Sequence, residues 1–191
     1  DLYKNKINLF CDTGCIIAWI NQEFKLNNGV NLFHDYNNTA MGWALPGAIG
    51  GHFANKDQNI ICIVGDGSFM MSLQELATAM HHKINLKLII VNNSGYSMIK
   101  QTQEQWLNSD YVASSKEGGI SFPSNKKIAE SFDLDYFLFE DDKKDEKVLE
   151  SFLNNKKASL LELIISPQAR VIPQVKFGRP NEDMEPLLPR E

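Results

Sequence analysis

Cysteine is sparse in this chain, with 3 in 191 residues, and basic charge is in deficit, with 19 Lys and Arg against 24 Asp and Glu. Cys11 and Cys15 have three residues between them, which misses a CxxC redox spacing, and Cys62 sits inside an apolar run. No disulfide framework is expected, and the thiols read as reduced ones of a cytoplasmic protein. The four histidines, His34, His52, His81 and His82, show no zinc-ligand spacing, so structural zinc is not expected. A net charge of −5 and a pI near 5.4 argue against a nucleic-acid or anionic-membrane surface. No apolar run approaches the roughly 20 residues of a membrane-spanning helix. The opening residues, Asp1-Leu-Tyr-Lys-Asn, include neither an initiator Met nor an apolar stretch. No signal peptide is read there, and the chain is expected to be a piece of a longer protein or a processed one. What is present, 43% hydrophobic and 23% charged residues, is ordinary globular composition at a length suited to one domain with its own core.

Short apolar runs alternate with helical patterns. Ile7 to Cys11 reads as a strand ending in Asp-Thr-Gly, followed by a helix start over Cys15 to Trp19. Asn31 to Tyr36 is a second strand candidate, and the small, apolar, Gly-rich stretch Met41 to Ala54 predicts a closely packed buried helix. Asn59 to Val64 is a continuous β-branched run, as in a strand covered on both faces. An amphipathic helix is predicted over Leu73 to His82, with Ser72 and Glu75 at capping-box spacing. Leu86 to Val91, Tyr136 to Phe139 and Leu160 to Ile165 read as strands, and Lys126 to Phe132 and Lys143 to Leu153 as helices. The eight consecutive charges from Glu140 to Lys147 read as a solvated loop and helix start. Such alternation predicts an α/β fold, an open, mainly parallel sheet with helices on both faces. Residues 1–166 are expected to form this domain. From Pro167 to residue 191 the chain holds five of the seven prolines and little periodicity, and it reads as an extended tail over the domain or a partner.

In open α/β sheets ligands bind beyond the carboxyl ends of the strands. Two such ends carry unusual residues: Gly65-Asp66-Gly67-Ser68 after Val64, and Asn92-Asn93-Ser94-Gly95-Tyr96 after Val91. On adjacent parallel strands, Asp66 and Asn93 share one rim. The glycines let backbone N–H groups close on an anion, and a helix N-terminus expected just beyond Ser68 adds its positive end. Asp66 offers a carboxylate, Asn93 an amide oxygen and Gly95 a main-chain carbonyl. Three such oxygens leave an octahedral Mg²⁺ positions for phosphate and water. The pattern asks for a diphosphate held through a divalent ion, and with no Walker lysine and no GxGxxG, P-loop and Rossmann sites fit poorly. Taken singly, each of these two segments is also an ordinary turn.

Gly65-Asp66-Gly67, 24 residues, then Asn92-Asn93 resembles the cofactor motif of the thiamine diphosphate-dependent enzymes, in their C-terminal diphosphate-binding (PP) domain. The stretch from Thr39 to Gly50, Thr-Ala-Met-Gly-Trp-Ala-Leu-Pro-Gly-Ala-Ile-Gly, resembles the acetolactate synthase-like branch. The resemblance implies that Asp66, Asn93 and the Gly95 carbonyl ligate Mg²⁺, and that Gly67, Ser68 and the loop of Gly95, Tyr96, Ser97 and Met98 hold the diphosphate. It implies further that Met41 supports the bent cofactor, with the main chain at Thr39 and Met41 bonded to its aminopyrimidine. The implied reaction is decarboxylation of a 2-oxo acid, with pyruvate first in line, and ligation of the resulting carbanion to a second carbonyl.

The resemblance also implies what these residues lack. The activating glutamate belongs to a pyrimidine-binding domain of the partner subunit, in a homodimer or homotetramer. Neither that N-terminal domain nor the central one, where some relatives hold FAD, lies in this sequence. The isolated chain is therefore expected to bind the cofactor weakly and not to turn over. Thr102 stands where acetolactate synthases place a Trp, and Asn-Asn-Ser-Gly-Tyr is closer to the simple 2-oxo acid decarboxylases, which release an aldehyde. Pro173 to Pro180 resembles the C-terminal arm of the acetolactate synthase-like branch. Arg170, Lys176 and Arg179 read as solvated tail charges, with a substrate carboxylate as the other role open to them. A non-catalytic cofactor-binding or assembly module is the alternative of another class.

Overall fold

The computed structural model describes residues 6–25, 29–141, 144–176 and 178–186. The opening residues, the first residue of the helix expected from Lys143, Phe177 and the last five residues of the tail lie outside them. Six strands form one sheet: β1 (Ile7–Cys11), β2 (Val30–Phe33), β3 (Asn59–Gly65), β4 (Leu86–Asn92), β5 (Asp135–Phe139) and β6 (Ser159–Ile164). Their order is β2-β1-β3-β4-β6-β5, and every pairing is parallel. The chain runs from β1 outward to β2, then returns to β3 on the other side of β1. The carboxyl ends of β1 and β3 therefore flank a topological switch point, where such sheets open a crevice.

Both faces carry helices. On one, α2 (Ala44–Ala54), α4 (Leu76–His81) and α6 (Asn125–Ser131) close over Phe10, Ile60, Cys62, Val64, Leu88, Ile90 and Leu160. The small residues of α2 bring it close to the sheet: a Cβ on Gly51 would stand 2.3 Å from the Phe10 ring. Pro46 is tolerated because it lies in the first turn, where an N–H has no intrahelical partner. On the other face, Ile16, Ile17, Trp19 and Ile20 of α1 (Cys15–Glu23) pack on Cys11, Ile63 and Val91. These are carboxyl-end residues, so α1 covers only that end. Hence β3 is not covered equally on both faces, as its continuous apolar run predicts. Ile60, Cys62 and Val64 are buried while Ile61 and Ile63 are half-buried.

Several boundaries differ from expectation. The second strand stops at Phe33, and the helix expected from Met41 starts at Ala44, residues 41–43 forming a turn. A short helix, α3 (Asp66–Phe69), begins at Asp66 itself rather than beyond Ser68. The predicted capping box does not form. Ser72 has φ −140° and ψ 11°, away from the extended cap conformation, and its Oγ is buried with no partner. The segment opens instead with a 3-10 turn, Leu73–Glu75, before α4. A further helix, α5 (Ser97–Trp106), begins inside the expected loop of residues 95–98 and runs on through a segment with no predicted element. Its inward face is Lys100, Gln101 and Gln103, so no apolar periodicity marks it. Helix α7 (Glu146–Asn154) precedes β6, and two short antiparallel strands, β7 (Gln174–Val175) and β8 (Met184–Glu185), occur in the tail. Among the described residues no helix is long and apolar enough to cross a membrane.

Candidate functional site

Adjacent strands β1, β3 and β4 end on one rim, and a cavity of about 310 Å³ opens between their ends. All ten residues singled out on sequence, Thr39, Met41, Asp66, Gly67, Ser68, Asn93, Gly95, Tyr96, Ser97 and Met98, line it. Residues 97 and 98 do so from the first turn of α5 rather than from a free loop. Cys15, Ile16 and Trp19 also line the cavity with Thr13 and Gly14, and none of these was singled out. Their one sequence signal is the polar Asp-Thr-Gly ending of β1.

Asp66 is 3% exposed. Its Oδ1 accepts from Gly67 N at 2.8 Å and its Oδ2 from Gly95 N at 3.2 Å. Burial outweighs these bonds and pushes the carboxyl up to about 6. Across the gap between strands, Asn93 donates from Nδ2 to Ser97 Oγ at 2.6 Å. That bond turns the amide, and its Oδ1 is buried without a partner. Gly67 must remain small here, since a Cβ on it would lie 2.0 Å from the Tyr96 ring.

A buried carboxylate, and beside it an amide oxygen with no donor, are groups a hard cation satisfies. Among the described residues no three His, Cys, Asp or Glu side chains are arranged to hold a metal. A cation at this rim thus draws on one carboxylate and takes its other oxygens from amide, main chain and ligand. The donor set fits Mg²⁺ with a diphosphate.

The opposite wall is organised by Asp12, which is fully buried. Its carboxylate accepts from Thr13 N at 3.0 Å, Gly42 N at 3.2 Å and Ala44 N at 2.9 Å. This ties the end of β1 to the turn that carries Met41 and to the start of α2. Asp35 holds the preceding residues: its carbonyl accepts from Thr39 N at 2.8 Å and its Oδ2 from Ala40 N at 3.4 Å. Thr39 has φ +49°, a conformation a β-branched residue rarely adopts unless its surroundings impose it.

Two further networks brace the rim. Glu162 Oε1 accepts from Asn92 Nδ2 at 2.6 Å and Asn125 Nδ2 at 2.9 Å, and its Oε2 from the Tyr136 hydroxyl at 2.5 Å. Asn92 Oδ1 in turn accepts from Ser94 N at 3.0 Å, shaping the turn between Asn93 and Gly95. The tail lies against α1 and α5. Lys100 donates to the Pro167 carbonyl at 2.9 Å, Trp19 Nε1 to the Arg170 carbonyl at 3.3 Å, and Gln101 Oε1 accepts from Val171 N at 3.0 Å. Arg170 is not a solvated charge: its guanidinium pairs with Glu104, which also accepts from the Tyr111 hydroxyl at 2.7 Å. That pairing holds the Glu104 carboxyl below its ordinary range. Lys176 pairs with Glu185 at 2.6 Å, and Arg179 with Glu185 at 3.0 Å.

A family model described as "Thiamine pyrophosphate enzyme, C-terminal TPP binding domain" matches residues 12–163. The acetolactate synthase isozyme 1 large subunit of Escherichia coli (strain K12) is 30% identical over 173 residues, covering 91% of this chain and 30% of that protein. The acetolactate synthase large subunit of Cyanidium caldarium is 30% identical over 173 residues, with 91% and 29% covered. An acetolactate synthase of Arthrospira platensis is 33% identical over 144 residues, with 75% and 24% covered. The chain thus spans at most 30% of the length of these relatives.

Proposed function

The chain belongs to the thiamine pyrophosphate enzymes, as a C-terminal TPP-binding domain, and from that premise we propose a specific role for it. It is the cofactor- and Mg²⁺-binding part of an acetolactate synthase-like enzyme. That enzyme decarboxylates a 2-oxo acid, pyruvate first in line, and joins the resulting unit to a second carbonyl. The observation that supports the reading is the pair at one rim, the buried Asp66 carboxylate and the Asn93 Oδ1 that is buried without a partner. Relatives named acetolactate synthase supply the reaction class.

In this reading Asp66, Asn93 and the Gly95 carbonyl hold Mg²⁺, while Gly67, Ser68, Tyr96, Ser97 and Met98 enclose the diphosphate. Thr39 and Met41 form the wall against the aminopyrimidine, and Met41 supports the bend. Thiamine diphosphate supplies a carbon nucleophile and an electron sink for the pair released as CO₂ leaves. This chain's own work is to bind, orient and exclude water. Ser97 keeps the Asn93 amide turned, Asp12 fixes the Met41 turn, and Trp19, backed by the tail, closes one side. The activating glutamate, the remaining domains and a second subunit come from outside these residues, and a cytoplasmic location belongs to the same proposal. The isolated chain is then inactive.

The deciding experiment gives the full-length protein pyruvate, thiamine diphosphate and Mg²⁺, follows CO₂ and identifies the carbon product. Acetolactate is expected. Acetaldehyde would move the enzyme to the simple decarboxylases, the reading favoured by Thr102, whose hydroxyl turns back to the Met98 carbonyl at 3.1 Å. Bound cofactor without CO₂ would leave the site and change the substrate. Absence of metal-dependent cofactor binding would overturn the proposal.

A further inference from the structure

Glu162 is 9% exposed on β6, level with Ile90 of β4 and Leu138 of β5. Its three partners come from three elements: Asn92 at the end of β4, Asn125 at the start of α6 and Tyr136 in β5. A carboxylate only accepts, so each partner must turn a donor towards it. Asn125 does so although its own Oδ1 is buried without a partner. Asn92 does so as well, and there the constraint carries further. With Nδ2 committed to Glu162, the Asn92 Oδ1 faces the other way and accepts from Ser94 N at 3.0 Å. Ser94 has φ +57°, a left-handed conformation that a non-glycine residue keeps only where its surroundings hold it. It stands between Asn93 and Gly95, and the turn it makes brings Gly95 N to 3.2 Å from Asp66 Oδ2.

We propose that Glu162 is a positioning residue for the metal: acting through Asn92, it fixes the turn that presents Asn93 Oδ1 and the Gly95 carbonyl. The proposal rests on the reading of this rim as the Mg²⁺ site. From Glu162 the constraint passes through the Asn92 amide to the Ser94 main chain and, one residue on, to the Asp66 carboxylate. Asn125 and Tyr136 bond the same carboxylate but hold α6 and β5, which carry no proposed ligand. One acid thus serves the fold through two partners and the site through the third. Mg²⁺ demands near-ideal octahedral geometry at short distances, whereas Ca²⁺ accepts longer and less regular ones. A turn left free to shift therefore costs Mg²⁺ more than Ca²⁺.

The test uses the full-length protein and follows thiamine diphosphate binding by tryptophan fluorescence, with Mg²⁺ and then Ca²⁺ as the metal. Urea unfolding of the metal- and cofactor-free protein runs beside it. Glu162→Ala and Asn92→Ala are each expected to weaken Mg²⁺-supported binding about tenfold, and Ca²⁺-supported binding about threefold or less. Because they break one relay, the double variant should lose no more than about twentyfold, not the product of the two. Tyr136→Phe removes a bond to the same carboxylate, so it should lower the urea midpoint and leave cofactor binding within about twofold. Unchanged Mg²⁺-supported binding in Asn92→Ala overturns the proposal, and this variant decides should Glu162→Ala fail to fold. A fully multiplicative loss in the double variant overturns it too, as does a loss of binding in Tyr136→Phe equal to that in Glu162→Ala. Equal losses with both metals would make Glu162 a structural residue only. If the wild type binds no thiamine diphosphate with metal present, the cofactor reading falls and this proposal with it.

Discussion

Two buried aspartates stand at the ends of neighbouring strands, and they differ in what stands beside them. Asp12, after β1, receives three main-chain N–H groups within 3.2 Å, two of them from the turn and helix start it anchors. Asp66, at the end of β3, accepts from Gly67 N and Gly95 N, with the Ser94 and Asn93 main-chain groups also favouring its charge, yet burial pushes it up to about 6 and Asn93 beside it keeps an unpaired oxygen. A saturated carboxylate is a structural joint, because removing it strands several buried donors. A carboxylate that burial leaves raised, beside an amide oxygen with no donor, is a place for a cation, because the protein alone does not complete the pair. The two walls of the cavity thus divide the labour: the β1 side holds shape and the β3–β4 side awaits charge.

Replacing each acid tests that division, and Asp66→Ala is expected to have the largest effect. Mg²⁺-dependent thiamine diphosphate binding in the full-length protein should fall by at least about 100-fold, the loss of a charged ligand being worth roughly 3 kcal/mol or more. Stability of the metal-free protein should change little. The raised carboxyl means the native state holds its proton more tightly than the unfolded chain, so stability falls as pH rises from about 4 to about 6. At neutral pH that leaves a penalty on the order of 2–3 kcal/mol, which the substitution removes. The main-chain N–H groups it strands cost a similar amount. Urea unfolding checks the cancellation; a loss above about 3 kcal/mol would make Asp66 a joint like Asp12.

Asp12→Asn should show the reverse pattern. The amide offers one acceptor oxygen where two are used, and its NH₂ faces an N–H, so unfolding free energy should drop by about 1–3 kcal/mol. Cofactor affinity should follow only through the loosened Met41 turn, by about tenfold or less. A variant of unchanged stability that lost the cofactor would place Asp12 among the ligands and break the comparison. Gly67→Ala is a smaller perturbation of the ligand wall. Its Cβ meets Tyr96, the side chain has to swing away, and overpacking of this kind costs about 1–2 kcal/mol. Fluorescence titration should show cofactor affinity several-fold weaker, with the fold intact.

The ligand wall is the more legible of the two because its signals are local. Glycine-flanked Asp66 and the Asn92-Asn93 pair each follow an apolar run, so strand, turn and chemistry appear within a few residues. The sheet is legible for the same reason, through β-branched runs such as Ile60 to Val64. Asp12 shows only as the end of a strand, since Gly42 and Ala44 lie thirty and more residues away and nothing in the sequence links them. Helix α5 is hidden because its inward side chains are polar and bond to the tail. The capping pair Ser72 and Glu75 misleads because spacing says nothing of backbone angles. The positions of Glu104, Tyr111 and Arg170 become one cluster only after folding.

The opposite rim of the sheet extends the comparison with the smallest effect. Lys87, near the start of β4, is 5% exposed, and its Nζ donates to Asn85 Oδ1 and to the Lys157 carbonyl, each at 2.6 Å. Burial lowers its pKa to about 8 despite the nearby Asp135. Between about pH 8 and its ordinary value near 10.4, the unfolded chain holds a proton that the native state has released. Stability therefore rises with pH across that window, and below pH 8 the native state bears the full cost of a buried charge. Lys87→Met should flatten the rise while changing stability at pH 7 by no more than about 1 kcal/mol, because lost desolvation and two lost acceptor partners oppose each other. Urea midpoints between pH 7 and pH 10 read both quantities. Since Lys87 lies at the far end of β4 from Asn93, cofactor affinity should not move. If it did, the two rims would be coupled through the strand, and the division between joint and ligand would not be local to the cavity.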